Sequence, residues 1–514
     1  MSGGKTKTRS GDDETGRKGR IAFGCALALV LVASMPLHLG HPTADVSWLL
    51  TVCEKMLDGE RLFVDILEIN PPFSALLYMP AVLLARAIGI SPETVTFAMA
   101  YLAAFAGLGL AARILPEEIV DGGKSSALVL LPAAFFLLVL SQDAFAQREF
   151  FAAAFALPIV AVFLRHGRDG SWPSLTDGAA AAILAGLTIA IKPPLFILPG
   201  LFIAAHMVWR TKSLAFLLPS GLFAAGLFGV AVTVVSFAAF PHYFGETAAL
   251  MREVYLPVRS DFLSCLNDRG FVAVLALLGI SGSLMLRLKP VAAQTTALLA
   301  ATGFLTAYFL QGKYFPYQVF PAGLFALIAA VIGVFRHLQT VDLRALGPLL
   351  RSGGFYVLAS VGIALSFLAG FTDQRPGMPD LSWADGLDRP TALAVSPDHA
   401  TSFPLARRIG ARWVGRAHSQ WVARFARHAL ASPGLSVAEP RKFERYHGAD
   451  LRGVLERIEA AKPELLFLDA APAYAWFYQE LQALNPGYLK AYAPVAESAG
   501  IRVLKRRSDA PAGR

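Results

Sequence analysis

Long apolar runs separated by short polar or basic breaks organise most of this chain. They fall at about 21–39, 93–112, 125–141, 150–165, 178–192, 195–209, 214–240, 270–287, 292–310, 317–335 and 354–370. Each is close to the ~20 residues a helix needs to cross hydrocarbon. One more run, 73–90, is interrupted by Pro80 and carries Arg86, and it decides the topology. If it crosses, the basic breaks Arg165 to Arg168, Arg210 to Lys212 and Arg287 to Lys289, with Arg336, Arg344 and Arg351, lie opposite the basic N-terminus. If it lies along the interface, they all share the N-terminal side, as the excess of Lys and Arg in cytoplasmic loops requires. The pattern predicts eleven spans, a juxtamembrane helix over 73–90, a cytoplasmic N-terminus and an extracytoplasmic C-terminus.

From Thr372 the hydropathy falls. Thr391 to Val395, Leu465 to Leu468 and Ile501 to Leu504 read as short buried strands, with helical patterns around Gln420 to Ala431 and Leu451 to Ala461. The expected fold is an all-α polytopic membrane domain over 21–371 followed by a small α/β soluble domain over 372–514. Residues 1–20, rich in Gly, Lys and Arg, read as a disordered cytoplasmic segment. Together with Ile21 to Met35 they imitate a secretory signal peptide. An uncleaved first span is preferred, because the polar loop behind it requires a membrane tether.

Composition agrees with this class: hydrophobic residues make up 55% of the chain and charged ones 16%, against about a quarter charged in soluble domains. The net charge of +9 sits largely in the short basic loops that set membrane orientation, so it does not point to nucleic acid. The three cysteines, Cys25, Cys53 and Cys265, have no metal or redox spacing, and Cys53 with Cys265 is the one pairing their sides allow. No Walker loop, dinucleotide fingerprint, zinc-ligand spacing or nucleophile elbow occurs.

Candidate chemistry starts in the loop over 40–92, behind the first span. Asp45, Glu54, Asp58, Glu60, Asp65 and Glu68 gather there, followed by Asn70-Pro71-Pro72-Phe73. Acidic groups near hydrocarbon are costly unless they sit at an interface or in a wet cavity with a task. Asp45 can be the N-cap of a helix beginning at Val46, or a general base, and the two roles are compatible. This stretch resembles the first outer loop of the GT-C glycosyltransferases, integral-membrane enzymes that use lipid-phosphate sugars and include the protein O-mannosyltransferases and aminoarabinose transferases. In that superfamily an Asp soon after span one precedes a segment of the form Leu-x-Gly-x-x-Leu-Tyr/Phe-x-Asp and a Pro-Pro pair, matched here by Leu57 to Asp65 and Pro71-Pro72. The resemblance implies that Asp45 is the catalytic base. Several relatives have Asp-Glu at this point where this chain has Asp45-Val46, so the resemblance is to the superfamily rather than to that branch.

A second constellation, Ser141 to Phe150, contains Asp143, Arg148 and Glu149. It reads as a polar turn, or as a substrate-binding set in which a carboxylate holds a sugar hydroxyl or a metal and Arg148 meets a phosphate. Lys192, in Ile-Lys-Pro-Pro194, and Lys313, in Gln311-Gly-Lys-Tyr-Phe-Pro-Tyr-Gln318, stand beside prolines on the expected outer face. A lysine at the membrane edge is commonly an anchor, whereas two of them in a dry place suit a phosphate. Tyr317 belongs to the same binding set. A bacterial branch of the superfamily tends to end this last segment in Tyr-His, while this chain ends it in Tyr317-Gln318.

These observations lead to an expected function: transfer of a monosaccharide from a polyprenyl-phosphate donor to a glycan, lipid or protein acceptor, at the outer face of a bacterial inner membrane. The partners are the donor, the acceptor and the bilayer, with no nucleic acid. The pattern assigns no particular cofactor, and the acidic loops permit a divalent metal. A flippase of lipid-linked glycans is the rival class, as is a non-catalytic envelope-assembly protein. Transporters place charges near the midplane, whereas most spans here are free of Asp and Glu at their centres.

Overall fold

A backbone inside hydrocarbon must satisfy its own N–H and C=O groups, which a helix does within one segment. The apolar runs accordingly form helices in this computed structural model, which describes residues 9–40, 42–340, 381–431, 439–498 and 500–507. Among the described residues six helices are long and apolar enough to cross a membrane: Pro92–Ile114, Arg148–Asp169, Leu222–Ala239, Arg269–Arg287, Ala292–Gln311 and Pro316–Thr340. Shorter apolar helices cover Phe23–His38, Pro72–Ile88, Ser126–Leu138, Leu175–Ile191 and Leu195–Thr211. The expected span at 354–370 lies outside the described residues. The first helix runs Arg9–His38, so regular structure begins within the polar N-terminal stretch. The 214–240 run is broken, with a 3-10 turn at Ala215–Leu217 before the Leu222–Ala239 helix.

The chain divides into two compact units, each drawn from three separate stretches. The first takes Met1–His41, Thr96–Val234 and Asp261–Asp373 and holds the helix bundle. One of its two most enclosed spans, Arg148–Asp169, packs against Leu175–Ile191 and Ala292–Gln311. Small residues permit close approach: a Cβ on Gly107 would collide with the Ala154 carbonyl oxygen. Buried polar groups find partners across helices, as where Gln294 Nε2 donates to Ser281 Oγ at 3.1 Å.

The second unit takes Pro42–Val95, Val235–Ser260 and Gln374–Arg514. Its opening helix, Ala44–Leu57, is capped by the Thr43 hydroxyl, which accepts from Val46 N–H at 3.4 Å. It stops at Gly59, whose φ of +97° few other residues tolerate, and Glu60 N–H closes the end on the Lys55 carbonyl at 3.0 Å. The 73–90 run becomes two helices, Pro72–Leu76 and Met79–Ile88, of 5 and 10 residues. Ten residues reach about 15 Å, half the ~30 Å of hydrocarbon.

The C-terminal part of this unit is a five-stranded sheet. Its strands are β1 (Thr391–Val395), β2 (Arg412–Trp413), β3 (Leu465–Asp469), β4 (Tyr492–Ser498) and β5 (Ile501–Arg506), in spatial order β2-β1-β3-β5-β4. β1 lies parallel to both β2 and β3, and β5 is antiparallel to β3 and β4. The central strands are continuous apolar runs because both their faces are covered. Leu393, Val395, Leu466 and Leu468 pack with Val454 and Phe477 from the flanking helices Glu439–Ala461 and Ala475–Leu484. The three strands legible in the sequence are β1, β3 and β5. β4 escapes notice because it is an edge strand carrying Pro494 and a bulge. All three cysteines are free thiols.

Two arginines tie the separate stretches of this unit together. Arg407 is nearly buried and forks onto Glu54, Nη1 to Oε2 at 2.6 Å and Nη2 to Oε1 at 3.0 Å; it also donates to Thr51 at 3.1 Å and pairs with Glu93. Arg416 pairs with Glu246 and donates to the Val64 carbonyl at 3.2 Å, while its own carbonyl accepts from Leu67 N–H at 2.8 Å. Removing one partner of a buried pair strands the other charges. Arg407→Met should therefore cost about 3 kcal/mol of stability, the low end for such a break, because Glu54 is 31% exposed and regains some water. Thermal unfolding of the purified full chain measures it; a midpoint equal to wild type would make the clamp dispensable.

A second expectation concerns pH. Asp450 accepts from Ala423 N–H at 2.8 Å, at the start of the Trp421–Ala431 helix. Burial pushes its carboxyl from 3.8 up to about 7, against the opposing pull of that N–H and of His447. Between those values the folded protein holds a proton that the unfolded chain has released, so this group's contribution to stability falls as pH rises from about 4 to 7. Asp450→Asn should remove that fall. The readout is the difference in unfolding midpoint between wild type and variant across the window, and a constant difference would exclude the linkage.

Candidate active site

The six carboxylates of the 40–73 stretch are not a free acidic patch. Glu54 is held by Arg407; Asp58 meets Arg86 at 2.9 Å, Glu60 meets Lys55 at 2.8 Å and Asp65 meets Arg61 at 3.0 Å. Buried Glu68 accepts from the Trp48 indole at 2.5 Å and from Asn70 N–H at 2.8 Å. Five of the six thus have local structural work, which answers the cost of placing acid beside an apolar body.

Asp45 differs. The helix it belongs to is capped by Thr43, so Asp45 stands in the first turn and is not the N-cap. Among its contacts is an imidazole from the C-terminal stretch: His399 Nε2 lies 3.6 Å from Asp45 Oδ1. The other ring nitrogen of His399 faces Asp398 Oδ1, also at 3.6 Å. Asp398 is pinned by Arg424 at 2.8 Å, by the Tyr474 hydroxyl at 3.0 Å and by Ala400 N–H at 3.0 Å. Burial raises its carboxyl, but the neighbouring His399 and Arg424 and these hydrogen bonds more than offset that, holding it below the usual carboxylate range.

His418 closes the back of the group, its ring 5.0 Å from His399 and 5.4 Å from the Trp48 indole. Burial, reinforced by His399, pushes His418 down to about 3 against the opposing pull of Asp45 and Asp398. It is therefore a neutral wall at physiological pH. Asp398 and His399 follow β1 directly and Asp469 ends β3, with Thr401 donating to Asp469 at 2.7 Å. These are the carboxyl ends of adjacent parallel strands, where open α/β sheets place ligands. In the sequence Asp398-His399, Asp469 and Tyr474 match no catalytic motif, and their position immediately behind predicted strands was the available signal.

The first unit brings together another set of the expected residues. Lys192, which ends the Leu175–Ile191 helix, forms an ion pair with Glu149 from the first turn of the Arg148–Asp169 helix. Lys192 Nζ also donates to Gln311 Oε1 at 2.8 Å and lies 6.0 Å from the Tyr317 ring and 5.8 Å from that of Phe196. Glu149 is fully buried, and its second oxygen, Oε2, has no hydrogen-bond partner among the described residues. Arg148 and Lys313 are buried as well, at 3% and 4% exposure. Asp143 instead is exposed, on a 3-10 turn at Gln142–Ala144, where its carbonyl accepts from the Gln147 amide at 2.7 Å. Among the described residues no three His, Cys, Asp or Glu side chains converge as a metal ion would need.

No protein-family model and no curated protein sequence matches the chain. Solved structures do. The crystal structure of ArnT from Cupriavidus metallidurans bound to undecaprenyl phosphate aligns over 96% of this chain and 98% of that one, with a TM-score of 0.57 at 15% sequence identity. The apo state of the same protein aligns over 95% and 98%, with a TM-score of 0.59 at 15% identity. The chain is a multi-pass membrane protein with the fold of ArnT.

The Glu149–Lys192 pair carries its own prediction. Lys192→Met leaves a fully buried carboxylate without its cation, a loss of about 3–5 kcal/mol. Lys192→Met combined with Glu149→Gln removes both charges and should regain most of that loss. Comparing unfolding midpoints of the single and double variants tests it; equal midpoints would mean that Glu149 does not depend on Lys192.

Proposed function

We propose that this protein is an integral-membrane glycosyltransferase that moves a monosaccharide from a polyprenyl-phosphate donor to an envelope glycan, lipid or protein acceptor at the outer face of the inner membrane. The observation that carries this reading is the ArnT fold along almost the whole chain, together with the undecaprenyl phosphate bound in one of those ArnT structures. Topology supports it. In this reading all six apolar helices from Pro92 to Ala239 cross, three of spanning length and three shorter, and they separate two stretches that pack into the same compact unit. An even number of crossings returns a chain to the side it left.

In this reading Asp45 takes the proton of the acceptor hydroxyl as its oxygen attacks the anomeric carbon. The departing lipid phosphate is already a competent leaving group and needs no general acid, unlike the leaving alcohol of a glycoside hydrolase. The lipid phosphate falls to the buried cations Arg148 and Lys313. Lys192 is largely balanced by Glu149, so its part is to hold that carboxylate, whose open oxygen suits a sugar hydroxyl. Tyr317 then borders the same subsite, and Asp143, on its exposed turn, is left to contact the acceptor.

Asp45→Asn is the decisive variant. Since Thr43 caps the helix, Asn leaves the fold intact while removing the negative charge. Transfer should fall by roughly two to four orders of magnitude, the usual contribution of a general base, with undecaprenyl phosphate binding retained. The assay uses the reconstituted full chain and the polyprenyl-phosphate sugar that accumulates in a strain lacking it. Undiminished transfer by the variant would remove Asp45 from the mechanism, and absence of transfer by wild type would favour the transporter class.

A further inference from the structure

We infer that His399, contributed by the C-terminal sheet region, is the positioning residue of the reaction's base: it orients Asp45 and drains the proton that Asp45 collects. The inference rests on the reading of Asp45 as general base given above.

A base that keeps its proton is spent after one turnover, so it needs an exit for the proton as well as a fixed orientation. His399 offers both. Its two ring nitrogens face two different carboxylates, Asp45 and Asp398, each at 3.6 Å. That separation is an ion-pair distance that a small side-chain adjustment turns into a hydrogen bond, as happens when catalytic contacts tighten around substrate. Asp398 cannot follow such a movement freely, because Arg424, Tyr474 and Ala400 N–H hold it. It therefore serves as the anchor that fixes the imidazole plane, the role a third group plays behind a base and its partner. The ring of His399 is 32% exposed, which gives the proton a route to water.

The step balances without any added reactant. The acceptor O–H bond breaks as the acceptor oxygen bonds to the anomeric carbon, and the bond from that carbon to the phosphate oxygen breaks with its electron pair leaving on the phosphate. The proton goes to Asp45, then to His399 Nε2. The ring then passes the proton to water through its exposed edge. Among the described residues the titratable groups facing His399 are Asp45 from the Ala44–Leu57 helix, Asp398 beside it and His418 behind it. Arg424 and Tyr474 act through Asp398.

Three measurements on the reconstituted full chain, with the same isolated donor, test the proposal. His399→Gln should lower kcat about 10- to 100-fold and leave the donor KM unchanged. His399→Ala should be partly restored by added imidazole, which a structural role would not allow. In an Asp45→Asn background, His399→Gln should cause no further loss. Wild-type kcat in both single variants, or a loss that imidazole leaves untouched, overturns the proposal. If wild type itself transfers nothing, the glycosyltransferase reading fails and takes this step with it. The contact is judged separately by a double-mutant cycle on the unfolding midpoint: the Asp45→Asn and His399→Gln shifts are non-additive if the side chains interact, and additive shifts overturn the contact itself.

Discussion

The forked contact from Arg407 to Glu54, with Glu93 on its other edge, is the interaction on which the second unit depends. A buried guanidinium is expensive to desolvate, and Arg is the cation whose planar fork best matches a carboxylate. Two acids and the Thr51 hydroxyl meet it, so its cost is offset only when the Ala44–Leu57 helix and the 92–95 segment are both in place. Breaking up any one of these elements leaves charge stranded in the others. The helix so fixed carries Asp45 in its first turn. The orientation of the candidate base is thus set from the far end of its own helix by a residue of the C-terminal stretch.

The same arithmetic of charge sorts the remaining acids. Carboxylates paired with Arg or Lys are structural here, because a fixed cation cannot give up its charge. Asp45 faces the His399 imidazole, and Glu149 keeps one oxygen open among the described residues although its other is paired with Lys192. Both were among the residues singled out by type and place in the chain.

Much of the bundle was legible because hydrocarbon length imposes a period that local sequence must obey. The candidate base was legible for a different reason: the Gly59 turn and the Pro71-Pro72 pair that follow it are local too. What local pattern cannot carry is pairing between distant stretches. Arg407 is 353 residues from Glu54 and Arg416 is 170 from Glu246, and nothing at either end of these pairs marks the other. His399 was visible as a polar residue behind a strand, yet its meeting with Asp45 depends on that long-range packing. The reading of Asp45 as a helix cap failed on a shorter scale, since the helix starts two residues earlier than its apolar pattern does.

The span between Glu54 and Arg407 also sets a clock. At translation rates of about 5–20 residues per second, 353 residues take roughly 20–70 s to make. For all that time the first-loop helix has emerged without its cation, while the bundle helices between are being inserted. The second unit therefore closes only when the last of its three stretches is delivered. The last stretch to be synthesised acts as a keystone for the first loop, and a chain stopped before it would leave Asp45 on a helix without the arginine that fixes its far end.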